Sequence, residues 1–139
     1  MKSIPSLVIA DDHAAVLQKV SSMLRSRFNV AAMVRDGQSA VLAAIQYKPD
    51  VVILDINMPV LDGFAAAREI KEAQPGSRIL FLTMHNDPAY EEFAMQLGAS
   101  GFVLKSRASS DLIAAVEAAL SGKRFSSPPI AACVSEQKA

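Results

Sequence analysis

The chain is expected to fold as an open, doubly wound α/β domain, with five parallel strands in the order 2-1-3-4-5 and helices on both faces. Three observations predict it. Short apolar runs rich in β-branched residues alternate with helix-length amphipathic segments, the pattern of strand–helix units on a parallel sheet. The runs are apolar at nearly every position, as strands buried on both faces require. Several of them end abruptly in polar residues, at the sheet edge where α/β folds place their sites, and this strand order is the common one at this size.

The first strand is read over Leu7–Ala10 and runs into Asp11-Asp12. Val16, Leu17, Val20, Met23 and Leu24 then recur at helical spacing. The second strand, Val30–Val34, is the least strand-like, because Ala31 and Ala32 are poor strand formers. Gly37 leads into a helix carrying Ala40, Val41, Ala44 and Ile45 on its apolar face, which stops near Pro49. The third strand is Val51-Val52-Ile53-Leu54, ending at Asp55.

Asp62-Gly63 starts a helix with Phe64, Ala67 and Ile70 inward, closed by Pro75-Gly76. The fourth strand, Arg78–Leu82, runs into Thr83. Asp87-Pro88 is a helix start, a capping acid followed by proline in the first turn, and Gly98 is a C-terminal stop. The fifth strand, Gly101–Leu104, runs into Lys105, and a last helix spans Ser109–Leu120. From Phe125 onward Ser126-Ser127-Pro128-Pro129 and a mixed tail lack periodicity and read as a linker or frayed terminus.

The 139 residues suffice for one domain, and 51% hydrophobic with 20% charged residues marks it as globular. Fourteen basic and fourteen acidic side chains balance, so net charge argues for neither nucleic acid nor an anionic membrane as partner. A single cysteine, Cys133, excludes an internal disulfide framework and suits a reducing compartment. No apolar stretch approaches the roughly 18 residues of a membrane span, and Met1–Pro5 lacks a signal-peptide core. A cytoplasmic location is expected.

The strand order makes the first and third strands neighbours, so Asp11, Asp12 and Asp55 should face one another. Two carboxylates about 4 Å apart repel by roughly 4 kcal/mol at an effective dielectric near 20. Lys105 supplies one compensating charge, and the remaining need points to a hard divalent cation such as Mg²⁺. A carboxylate beside Mg²⁺, with an amine and a hydroxyl aimed at the same spot, can attack phosphorus and hold an acyl phosphate. Mg²⁺ and Lys105 would neutralise the phosphoryl oxygens, and Thr83 would hydrogen-bond to one of them.

With Asp11-Asp12, the segment Asp55–Gly63, Thr83 and Lys105 each at a strand end, the chain from about Leu7 to Arg124 resembles the receiver domain of a two-component response regulator. The resemblance implies a flavodoxin-like fold and Asp55 as phosphoacceptor. It implies Asp12 as direct Mg²⁺ ligand, Asp11 acting through water, the backbone carbonyl of Asn57 as a further ligand, and Phe102 as the rotating aromatic of the switch. Asp12-His13, Leu82-Thr83-Met84-His85, Gly98–Phe102 and Gly122-Lys123-Arg124 resemble the NarL/FixJ (LuxR-type) subfamily. Members of that subfamily continue into a helix-turn-helix domain, which residues 125–139 do not supply. Where relatives commonly carry proline after the lysine, this chain has Ser106; a cis bond there costs several kcal/mol without proline, so the resemblance does not specify that link.

Plainer readings stand beside these. Asp11-Asp12 alone could cap the first helix, Thr83 alone is an ordinary strand residue, and Lys105 alone a solvated side chain. Asp62 belongs to turn and helix-start chemistry rather than the site. His13 reads as a solvated first-turn residue, and His85, two residues past Thr83, could govern access of hydrolytic water.

The expected function is a phosphorylation-controlled signalling switch. A sensor histidine kinase donates to Asp55, Thr83 moves toward the phosphate, and Phe102 turns inward. An output domain on DNA, absent from this chain, would read the result, and a second copy could pair with the phosphorylated form. The tail's resemblance to a linker cut short favours a truncated chain. No turnover enzyme is expected: a dehalogenase-type phosphatase wants an acid two residues past its nucleophile, and position 57 is Asn. A flavin binder wants a glycine cluster that the six scattered glycines do not form. A stand-alone receiver that relays phosphate is the alternative.

Overall fold

The computed structural model describes residues 4–84 and 86–126. Strand β1 (Ser6–Ala10) leads to α1 (Ala14–Leu24), β2 (Asn29–Val34) to α2 (Gly37–Tyr47), and β3 (Val51–Leu54) to α3 (Gly63–Ala73). Then β4 (Arg78–Thr83) leads to α4 (Pro88–Gln96), and β5 (Gly101–Leu104) passes through one 3-10 turn (Lys105–Arg107) into α5 (Ala108–Leu120). A sixth strand, β6 (Phe125–Ser126), follows. All neighbours pair in parallel, in the order β2-β1-β3-β4-β5-β6.

The five expected strands are present in the expected order, and among the described residues a short sixth joins them. The addition lies just past the boundary expected at residue 124, so the first two residues of the expected linker are built into the sheet. Periodicity could not find it: two residues are too short for a pattern, and the pairing depends on the free edge of β5. Residues 127–139, with Cys133, lie outside the described residues, as does His85.

Alternation along the strands divides the core in two. Val8, Val52, Leu54, Phe81 and Phe102 face α2, α3 and α4, while Leu7, Ile9, Ile53, Leu80 and Val103 face α1 and α5. Small residues line the inner side of α2 (Ala40, Val41, Ala43, Ala44), which lets it lie close to the sheet. Ile45, expected on that inner face, is instead exposed. Phe64, on α3, is partly buried and meets Phe81, Tyr90 and Phe93 edge to face, with ring centroids 4.8–6.0 Å apart, tying α3 and α4 to the sheet.

Aspartates cap three of the helices. Asp36 accepts from the Ser39 amide, Asp62 from Ala65 and Asp87 from Ala89, each at 2.8–2.9 Å. Helix α1 has no such cap. Its N-cap residue is His13, whose side chain makes no cap hydrogen bond; the His13 amide donates to Asp11 Oδ1 instead.

Candidate functional site: an acidic pocket at the strand ends

Register brings the four polar strand ends together. Ala10 pairs with Leu54 and Leu54 with Phe81. The ladder extends one step when the Asp55 amide donates to the Ala10 carbonyl at 2.9 Å, which sets Asp11 and Asp55 side by side. Thr83 pairs with Leu104, placing it one step beyond the level of Asp55 and immediately before Lys105.

The side chains converge as that register requires. Lys105 Nζ lies 2.7 Å from Asp11 Oδ2 and 3.2 Å from Asp55 Oδ2. Asp11, Asp55 and Thr83 are buried, with 1%, 4% and 0% of their surfaces exposed, whereas the Asp12 side chain is 35% exposed and forms the open side of the pocket. Asn57 lies on the exposed turn two residues past Asp55. Phe102 is 3% exposed and part of the core on the α2–α4 side.

Burial pushes the Asp55 carboxyl above the usual carboxylate range, and the Asp11 charge adds to the shift; Lys105 opposes both without cancelling them. Burial also works against the Lys105 charge, but its two acidic partners outweigh it and hold the ammonium above its ordinary value. The pocket is thus short of positive charge. Asp11 Oδ2 meets Lys105 Nζ at 2.7 Å, and Asp12 Oδ1 has the His13 ring 3.1 Å away. Ligand atoms of Asp11, Asp12, His13 and Asp55 lie within 4.8 Å of one another. An oxygen-rich pocket with three carboxylates around one lysine fits a small hard cation.

Sequence reasoning missed three features. His13 is exposed, as expected, but it is not isolated: Nδ1 lies 3.2 Å from Asp11 Oδ1 and 3.1 Å from Asp12 Oδ1. Its backbone N–H donates to Asp11 Oδ1 at 2.9 Å, so Asp11 holds the start of α1 while facing the pocket. Gly63 is the second: a Cβ there would lie 2.1 Å from the Asp55 carbonyl oxygen, and Gly63 N donates to the Ile56 carbonyl at 2.7 Å. Gly37 does the same for the far end of the loop, where a Cβ would lie 1.9 Å from the Leu61 carbonyl oxygen. The adjacency of Asp62-Gly63 signalled a helix start; the backbone approach it permits had no local signal.

The third feature is Val60. It has φ +69°, and the Leu61 amide donates to the Pro59 carbonyl at 2.7 Å across it. This is the left-handed γ-turn, a rare and strained conformation, and a β-branched residue is the least suited to it. The side chain is 80% exposed and contributes little packing. Val60→Gly is expected to stabilise the protein by about 1 kcal/mol, the released strain exceeding the entropy cost of glycine. A urea unfolding midpoint at or below that of the wild type would contradict the strain.

The Lys105–Ser106 link is trans, as are all described peptide bonds. The 3-10 turn that follows is braced by Arg107, whose Nε donates to Asp111 Oδ2 at 2.8 Å. Asp62 stays at the N-cap of α3, apart from the pocket.

The chain is similar to known proteins over most of its length. Residues 7–117 match the profile described as the response regulator receiver domain. The transcriptional regulatory protein DegU of Brevibacillus brevis is 35% identical over 126 residues, covering 89% of this chain and 53% of DegU. A LuxR-family two-component response regulator from Aurantimonas sp. SI85-9A1 superposes with a TM-score of 0.88 at 33% identity, covering 98% of this chain and 99% of that one. The isolated receiver domain of RcsB from Salmonella enterica serovar Typhimurium, solved with the phosphomimetic BeF3−, gives a TM-score of 0.84 at 30% identity over 93% of this chain and 97% of its own. The chain spans about half the length of the curated relatives it matches. It belongs to the response regulator receiver domains of two-component signalling, of the NarL/FixJ (LuxR-type) kind.

Proposed function

We propose that Asp55 is the phosphoacceptor and that the pocket around it serves transfer and retention of one phosphoryl group. The observation that carries this reading is the placement of Lys105 Nζ between Asp11 and Asp55, 2.7 and 3.2 Å from them, beside an acidic opening. In the transfer, an Asp55 carboxylate oxygen forms a bond to phosphorus as the phosphorus–nitrogen bond of the donor's phosphohistidine breaks, and the freed imidazole leaves with the electron pair. Lys105 swings from the carboxylates to the phosphoryl oxygens, and Thr83 donates its hydroxyl to another. Bound Mg²⁺, held by the carboxylates of Asp12 and Asp55 and the Asn57 carbonyl with Asp11 acting through water, would neutralise charge on those oxygens.

Asn57 offers no acid to speed hydrolysis, so the acyl phosphate is held as a signal rather than turned over. Phe102 is buried, and phosphorylation acts by selecting this arrangement over others rather than by creating it. The donor is a sensor histidine kinase, with which receiver domains of this family interact. We read the chain past β6 as the linker to a DNA-binding output domain, with pairing of two copies on phosphorylation, because DegU, of which it covers 53%, is a transcriptional regulator. Sequencing the gene beyond codon 139 tests that; a stop codon would favour the stand-alone alternative. A cytoplasmic location belongs to the same reading, and no described helix is long and apolar enough to cross a membrane.

Incubation with acetyl phosphate and Mg²⁺ is expected to add one phosphoryl mass to the wild type and none to Asp55→Ala. An unchanged adduct in Asp55→Ala would remove Asp55 from the role. For the metal, Asp12→Ala is expected to weaken Mg²⁺ binding by at least about tenfold, as loss of a direct ligand should, with no loss of melting temperature in chelator. Calorimetric titration showing wild-type Mg²⁺ affinity in that variant would refute the ligand assignment.

A further inference from the structure

Strand β6 touches three parts of the region that a switch at Phe102 would use. Its main chain pairs with β5 in the register Gly101↔Phe125 and Phe102↔Ser126, and Phe125 N donates to the Ser100 carbonyl at 3.0 Å. The Ser126 hydroxyl hydrogen-bonds to the Glu91 carboxylate in the first turn of α4. The Phe125 ring packs on the α1/α5 side of the core. The residue register-paired with Phe102 is therefore also the residue tied to α4.

The sequence between α5 and β6 is built to deliver it there. Helix α5 ends with Lys123 N donating to Ala118 O at 2.8 Å and Gly122 N to Ala119 O at 3.0 Å, and Gly122 takes φ +78°. That double-bonded helix end reverses the chain and sends it back parallel to β5. Gly101 permits the close approach: a Cβ there would stand 3.3 Å from the Phe125 carbonyl oxygen and 3.2 Å from the Leu80 side chain.

We propose that β6 is a phosphorylation-sensitive strap: the state of Asp55 sets how firmly Phe125–Ser126 docks on β5 and α4, and so fixes the path of the chain that leaves the domain. The proposal rests on the reading of Asp55, Thr83 and Phe102 given above. A two-residue strand has few hydrogen bonds of its own and belongs to the low end of local stability. Its docking equilibrium is therefore easily biased by its supports. Thr83 pairs with Leu104 and Phe81 with Phe102, so a threonine held by a phosphoryl group steadies the β4–β5 ladder with Phe102 inward. That backbone is the one on which β6 lies.

Amide hydrogen exchange read by NMR on the 139-residue chain, with Mg²⁺ and with or without beryllofluoride as phosphoryl mimic, tests it. Protection of the Phe125 amide is expected to rise at least about fivefold with the mimic, the lower end of allosteric coupling. In Ser126→Ala the rise should shrink while amides around Asp55 and Thr83 respond as in the wild type. A response in the pocket with no change at Phe125 overturns the strap and leaves the phosphoacceptor reading standing. So does an undiminished rise in Ser126→Ala. No response in the pocket overturns the phosphoacceptor reading itself, and the strap with it.

Discussion

Asp55→Asn is expected to raise the melting temperature of the metal-free protein at neutral pH by a few °C, roughly 1 kcal/mol for a domain of this size, while abolishing phosphorylation. Its direction follows from the raised Asp55 pKa, caused first by burial and then by the Asp11 charge. A group whose folded pKa exceeds its unfolded value favours the folded state most when protonated. Its contribution is thus greatest below the unfolded value of 3.8 and is lost as pH rises through the higher folded value. At neutral pH the ionised, crowded carboxylate is a burden that asparagine removes, and Lys105 keeps Asp11 as its partner at 2.7 Å. The advantage of the variant should shrink as pH falls toward 4. Saturating Mg²⁺ should also erase or reverse it, because ligand stabilises only the protein that binds it. Thermal melts of both proteins across pH, in chelator and in Mg²⁺, measure this. A variant less stable than the wild type in chelator at neutral pH would show that Asp55 is a net stabiliser, contrary to the charge balance described above.

Gly63→Ala should be the most damaging single-methyl change near the site. The added carbon would lie 2.1 Å from the Asp55 carbonyl oxygen and 2.8 Å from Ile56 Cα, both backbone atoms that cannot rotate away. Relief requires moving the segment that carries the acceptor carboxylate. A cost of about 3 kcal/mol or more is expected, at the upper end for overpacking. The rate of phosphorylation by acetyl phosphate should also fall by about 100-fold, the scale of an ångström-sized misplacement of a reacting group. Gly76→Ala serves as the control, since a Cβ at that position meets nothing within 4 Å; it should change stability by no more than about 0.5 kcal/mol. Urea unfolding and single-turnover phosphorylation of both variants give the two readouts. Wild-type kinetics in a folded Gly63→Ala protein would mean that the loop repositions without moving Asp55.

Both expectations come from what surrounds Asp55, and the two surroundings were not equally legible. The convergence of Asp11, Asp55 and Lys105 could be read from sequence because it needs only strand order and where each apolar run stops. Burial on both faces makes the strands conspicuous, and a parallel ladder carries their ends to one edge. The same logic placed Thr83 beside them. Local chemistry likewise announced the Asp62 and Asp87 caps and the stop at Gly98.

What escaped the sequence depends on approach between backbones or on the turn of a side chain. Gly63 and Gly37 read as ordinary helix-start glycines until the Asp55 and Leu61 carbonyls are seen pressed against them. His13 looked solitary because nothing in a linear pattern says that an imidazole will lean over two carboxylates. Val60 carries a positive φ that its residue type argues against, imposed by the loop on either side.

The amino-acid sequence by itself determined the strand ends, and with them which charges would have to share a pocket. Burial of the apolar runs in a parallel sheet carries their polar ends to one edge. Only the tertiary structure decided that Phe102 is buried, that β6 pairs with β5, and that Ser126 joins Phe102's strand to α4. Those outcomes turn on packing space and on a free sheet edge, and both exist only once the chain has folded.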